Sequence, residues 1–146
     1  MTIKRMDHVT LVVEDLPAAI SFFTTLGMGL EGETSVEGPW VDRLCGLEGT
    51  QAEIAMMRTP DGHGRIELTK YRNPEVVRPE PAIAPPNTLG LRQIMFEVED
   101  LDDTITRMRA HGAGLLGEVI QYQDLYKLCY MRGPAGIIVA LAEELA

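Results

Sequence analysis

A chain of 146 residues is long enough to bury one core without a disulfide or structural metal, and 45% hydrophobic with 24% charged residues excludes disorder and fibrous repeats. The 22 acidic against 13 basic residues give a net charge of -9, which repels phosphate backbones and anionic lipid and argues against nucleic acid as a partner. Two distant cysteines, Cys45 and Cys129, fit no CxxC pattern and are expected to be reduced, packed thiols.

Met1-Thr2-Ile3-Lys4-Arg5 leads straight into strand-like alternation, with no apolar signal-peptide run and no membrane-length segment, so the expectation is a cytoplasmic protein with no membrane partner. Alternation from His8 to Val13 predicts a strand. Asp15 follows as a candidate N-cap, Pro17 sits where a first-turn proline is tolerated, and Leu16, Ile20 and Phe23 share one helical face. Gly27 is expected to end that helix as its C-cap. After Gly27-Met28-Gly29-Leu30, strands are predicted over Gln51 to Arg58 and Arg65 to Tyr71. Ahead of both, Gly38-Pro39-Trp40 through Gly49 is an insertion that either closes one end of a cavity, making Trp40 a candidate lid, or packs outside the sheet. His63, in the turn Pro60 to Gly64, reads as a surface residue.

Asn73 to Asn87 carries Pro74, Pro79, Pro81, Pro85 and Pro86, an extended semi-rigid connector. Beyond it the chain repeats itself. At an offset of 85 positions, MDHVTLVVEDLPAAISFFTTLGMGLEGE (Met6 to Glu33) lies without a gap on LRQIMFEVEDLDDTITRMRAHGAGLLGE (Leu91 to Glu118), with 10 identities, among them Val13/Val98, Asp15/Asp100, Gly27/Gly112 and Gly32/Gly117. The second copy therefore predicts a strand over Gln93 to Val98 and a helix ended by Gly112. His111 stands just before that end, where an imidazolium suits the helix dipole, and reads as surface. Further strands are predicted over Lys127 to Arg132 and Ile137 to Ala142. The order β, α, β, β, β occurs twice, in a single domain: module one about 4–72, a proline-rich linker 73–87, and module two about 88–146.

The openings "DHVTLVVEDLPAAISFF" and "IMFEVEDLDDTI" in tandem βαβββ modules resemble those of the vicinal-oxygen-chelate superfamily, the glyoxalase, bleomycin-resistance and dioxygenase proteins. The resemblance implies an α+β fold in which two tandem βαβββ modules form a half-barrel cavity. It also implies metal ligands on the first and last strand of each module. Here those positions are His8, Glu67, Gln93 and Ala140, so the implied metal set is His8, Glu67 and Gln93, with a fourth position that cannot be a ligand. Glu67 becomes the best candidate for a catalytic base. The methyl group of Ala140 can neither bind a cation nor accept a proton, which disfavours ordinary glyoxalase I chemistry, and a lone histidine disfavours an extradiol dioxygenase. Glu97 shares strand parity with Gln93 but lies about 13 Å further along; Glu143 and Glu144 read as solvated terminal charges.

Two functions stay open on the resemblance. One is a lyase or isomerase assisted by a divalent ion (zinc, nickel, manganese or iron) on a degenerate site. The other is a metal-free protein that sequesters a small molecule, in the manner of antibiotic resistance, in which His8 and Glu67 are a hydrogen-bonded pair needing no ion. Trp40, Met56, Met95, Tyr126 and Tyr130 are the candidate ligand-binding residues, with core packing the competing role for the tyrosines. The expected partners are a small-molecule ligand or substrate and a second copy of the chain.

Overall fold

The computed structural model describes residues 2–145 and divides into two compact units, one running to Arg78 and a second beginning at Pro79, inside the proline-rich connector. Each is a four-stranded sheet with a packed helix. Among the described residues the fold is α+β, with three α-helices and two four-stranded sheets, neither closed into a barrel.

In the first unit the strands are β1 (Val9–Val12), β2 (Gly29–Glu37), β3 (Gln51–Arg58) and β4 (Arg65–Asn73), ordered β1-β4-β3-β2. β1 and β4 run parallel, the other pairs antiparallel. Helix α1 (Leu16–Leu26) starts because the Asp15 carboxylate accepts the Ala18 N–H at 3.0 Å and Pro17 presets the first turn. It stops at Gly27, whose φ of 124° suits glycine and whose N–H is taken by the Phe23 carbonyl. Its buried stripe is Leu16, Ala19, Phe22, Phe23 and Leu26, with the two phenylalanine rings edge-to-face at 5.1 Å. Leu11, Ala55, Met57, Ile66 and Leu68 share one strand parity and form the sheet side of this core. The opposite parity is left to carry chemistry.

The second unit repeats the plan with β5 (Gln93–Glu97), β6 (Leu115–Tyr122), β7 (Tyr126–Arg132) and β8 (Ile138–Glu144), ordered β5-β8-β7-β6. Leu101, Ile105 and Met108 of its helix are buried with Cys129, Met131, Val139 and Leu141 of the sheet. The connector is tied to this unit by Arg132, whose guanidinium donates to the carbonyls of Ala84 at 2.8 Å and Gly136 at 2.9 Å.

Three expectations are corrected. The second unit's helix, numbered α3 (Leu101–Arg109), ends on Ala110 in an ordinary helical conformation, two residues before Gly112. The insertion in the first unit is a short helix, α2 (Pro39–Cys45). Cys45, at its end, is exposed, and only Cys129 is a packed thiol, which burial pushes above its usual pKa. Glu143 is not a solvated terminal charge: its Oε1 accepts the Leu101 N–H at 2.7 Å, so α3 is capped by Glu143 beside Asp100, which accepts from Asp103. Glu143→Ala is expected to cost about 1 kcal/mol in a urea titration, since it orphans a helix N–H, whereas Glu144→Ala, on an exposed residue, should stay within about 0.5 kcal/mol.

Candidate functional site

The uncovered parity of the first sheet presents one row across three strands and onto the fourth: Thr10 is registered on Glu67, Glu67 on Met56, and Met56 on Gly32. Glu67 is the charged member of that row. Its Oε2 accepts from the Thr10 hydroxyl at 2.8 Å and from the Thr69 hydroxyl at 3.2 Å, the latter two residues along on the same face. Its Oε1 is thereby turned toward His8, with Nε2 at 4.0 Å. His8 stands just before β1 rather than inside it. The two side chains keep 31% and 20% of their surface exposed, enough to meet a solute.

The other His8 nitrogen is engaged. Nδ1 lies 2.7 Å from Asp7 Oδ2, and Asp7 is gripped by Arg65 at 3.1 Å and by Arg5 at 3.0 Å. The bond to His8, reinforced by the charges of Arg65 and Arg5, holds the Asp7 carboxyl below the usual aspartate range. Arg65 also donates to Glu31, at the register shift between Leu30 and Gly32, and Arg58 donates to the same carboxylate at 2.8 Å. These bonds lower the Glu31 pKa, with the Arg65 bond the larger cause.

Further along this face Tyr71 is half-buried, and burial first, then the neighbouring Cys45 thiol, raises its hydroxyl pKa. Trp40 on α2 is 54% exposed. The Asp42 carboxylate accepts from the N–H groups of Thr50 at 2.7 Å and Gly49 at 3.0 Å, closing the insertion back onto β3. A cleft of about 750 Å³ opens elsewhere in the unit, between α1 and the outer strands, lined by Leu16, Ile20, Leu30, Glu33, Glu53 and Ile54 among others; it contains neither His8 nor Glu67.

In the second unit, Met95 is registered on Ala140 and Ala140 on Tyr130. Thr10 and Met95 are equivalent by the repeat, so Ala140 stands in the second sheet where Glu67 stands in the first. Ala140 is fully buried. Gln93 and Glu97 are exposed on β5, Met95 and Tyr126 are 49% and 41% exposed, and Tyr130 and Met56 are intermediate. His63 and His111 are exposed. Thus Glu67 and His8 come together in the unit that also holds Trp40 and Met56, whereas Gln93, Met95, Tyr126 and Tyr130 belong to a unit described on its own. Sequence reading missed Thr10, Thr69, Asp7 and Arg65. The parity of Thr10 and Thr69 with the Glu67 row was the signal available for the hydroxyls.

His8 and Glu67 suit a first-row divalent ion by donor type, and two donors each about 2.1 Å from a shared ion can stand as far apart as this pair does. Among the described residues, no group of three His, Cys, Asp or Glu side chains could hold an ion together. No described helix is long and apolar enough to cross a membrane.

A profile of the Glyoxalase/Bleomycin resistance protein/Dioxygenase superfamily matches residues 5–141. A glyoxalase family protein from Bacillus cereus is 50% identical over 100% of this chain and 97% of its own, with a TM-score of 0.95. Two more distant structures share the fold. The fosfomycin resistance protein FosX from Listeria monocytogenes, solved with Mn(II) and 1S,2S-dihydroxypropylphosphonic acid, is 15% identical over 96% of this chain and 90% of its own, with a TM-score of 0.62. TnmS3, an antibiotic binding protein from Streptomyces sp. CB03234, is 17% identical over 99% and 98%, with a TM-score of 0.59. No curated protein matches the chain.

Proposed function

This chain belongs to the glyoxalase/bleomycin resistance protein/dioxygenase superfamily, and on that premise we propose that it binds a small, oxygen-bearing molecule at the His8–Glu67 face with a divalent ion as intermediary. The observation that carries this is the arrangement of Glu67: two hydroxyls occupy Oε2, leaving Oε1 aimed at His8 Nε2 on an accessible sheet face. A carboxylate so fixed is ordered in advance for a cation or a proton.

When bound, such an ion would polarise a carbonyl or enediolate oxygen of the ligand. In this reading Glu67 would take a proton from the adjacent carbon, and the bonds from Thr10 and Thr69 to its carboxylate support that role by keeping it oriented. The chemistry of this reading is a lyase or isomerase step carried by one acid–base group, Glu67. Trp40 and Met56, in the same unit as the His8–Glu67 pair, are proposed to supply apolar contact to the ligand. A homodimer is the proposed assembly, since Val12, Leu30, Trp40, Met95, Ile120 and Tyr122 leave much apolar surface exposed on the isolated chain. Light scattering at micromolar concentration checks it.

A metal-free sequestering protein is the second reading, favoured by the buried methyl group at residue 140 and the exposed Met95, Ile120, Tyr122 and Tyr126 of the second unit. Calorimetric titration with Mn²⁺ separates the two. The first reading expects one saturable site per chain, weakened at least about tenfold in Glu67→Ala. No saturable heat, with small-molecule hits from a thermal-shift screen that survive chelator, would leave only the second.

A further inference from the structure

We infer that Asp7 is a positioning residue that sets the tautomer of His8, keeping the proton on Nδ1 and leaving Nε2 as the free acceptor toward Glu67. The inference rests on the reading of His8 and Glu67 as the working pair, and adds to it the group that decides which imidazole atom works.

An ionised carboxylate has acceptor sites only, so a 2.7 Å contact between Asp7 Oδ2 and His8 Nδ1 requires Nδ1 to be the donor. Asp7 is kept ionised and in place from three directions: His8, Arg65 on the same Oδ2 at 3.1 Å, and Arg5 on Oδ1 at 3.0 Å. Arg65 cannot swing away freely, because its other nitrogens hold Glu31 at 3.0 and 3.3 Å, and Glu31 is in turn bonded by Arg58. The chain of bonds therefore runs from the irregularity in β2, through the start of β4, to the residue ahead of β1. Its end point is the imidazole ring.

A neutral imidazole carries one N–H and one lone pair, so fixing Nδ1–H fixes the lone pair on Nε2. That atom faces Glu67 Oε1 at 4.0 Å, beyond hydrogen-bond reach, while Oε2 is held by the Thr10 and Thr69 hydroxyls. In the opposite tautomer the Nε2 lone pair would be lost to any cation or proton at this face. Ligating histidines commonly have the second nitrogen oriented by a carboxylate in this way.

The test is a long-range ¹H–¹⁵N spectrum of the metal-free protein with its imidazoles neutral, His8 being assigned by His8→Gln. The wild type should show the Nδ1–H form. Asp7→Asn and Asp7→Ala should both move His8 toward the Nε2–H form that free histidine prefers in water, with circular dichroism unchanged, and should weaken Mn²⁺ binding about tenfold. A wild type already in the Nε2–H form, or variants with an unaltered tautomer, would overturn the inference even if Mn²⁺ binding fell. A shifted tautomer in a protein that never binds Mn²⁺ would uphold the role of Asp7 and overturn the metal-assisted reading instead.

Discussion

Ala140→Glu is expected to lower the stability of the metal-free protein by about 4 kcal/mol, because a carboxylate would enter a fully buried position flanked by Met95 and Tyr130 with no cation in register. For a chain of this size that corresponds to a fall in Tm of roughly 10–15 °C. The sign of its pH dependence is fixed. Burial raises the folded-state pKa of the new carboxyl above its unfolded value, so the destabilisation is full above the folded pKa and shrinks as the pH falls toward the unfolded one. Melts at neutral and mildly acidic pH should therefore converge on the parent as acid is added. A variant as stable as the parent at neutral pH would mean that residue 140 opens onto solvent, and that the absence of a carboxylate there has nothing to do with packing.

His8→Ala is expected to have the opposite profile, with a large effect on binding and almost none on the fold. His8 is exposed and ahead of β1, so its removal should change stability by less than about 0.5 kcal/mol. Divalent affinity should fall by more than the roughly 10- to 100-fold that loss of an outer partner costs, because the one nitrogen donor beside Glu67 is gone. Urea titration and calorimetry on one preparation check both halves. If Mn²⁺ binds the variant as it binds the parent, the ion is held elsewhere.

Much of this fold is legible in the sequence because the chain states its plan twice. The 85-residue offset aligns Asp15 with Asp100, and both carboxylates cap a helix. The strand Gln51–Arg58 runs as its alternation predicts. Departures arise where a local signal meets a tertiary partner. Gly112 looks like the stop of Gly27, yet α3 ends earlier, and its φ of 80° is used in the turn beyond Arg109. Glu143 reads as solvated because nothing nearby in sequence could bind it; its partner, the Leu101 N–H, is 42 residues away. The same limit applies to the candidate site. His8 and Glu67 are visible as chemistry-bearing types, but the Thr10 hydroxyl that turns Glu67 and the Arg65–Asp7 contact that orients His8 come from cross-strand register, which one sequence does not print.

Whether the His8–Glu67 row is the working face of the first unit is read most directly by paramagnetic broadening with substoichiometric Mn²⁺ in the ¹H–¹⁵N spectrum of the ¹⁵N-labelled protein. The account predicts that the amides of Val9, Thr10, Glu67 and Leu68 disappear first, and that Glu67→Ala restores them. Broadening centred instead on Glu33 and Glu53, at the cleft beside α1, and unaffected by Glu67→Ala, would contradict it.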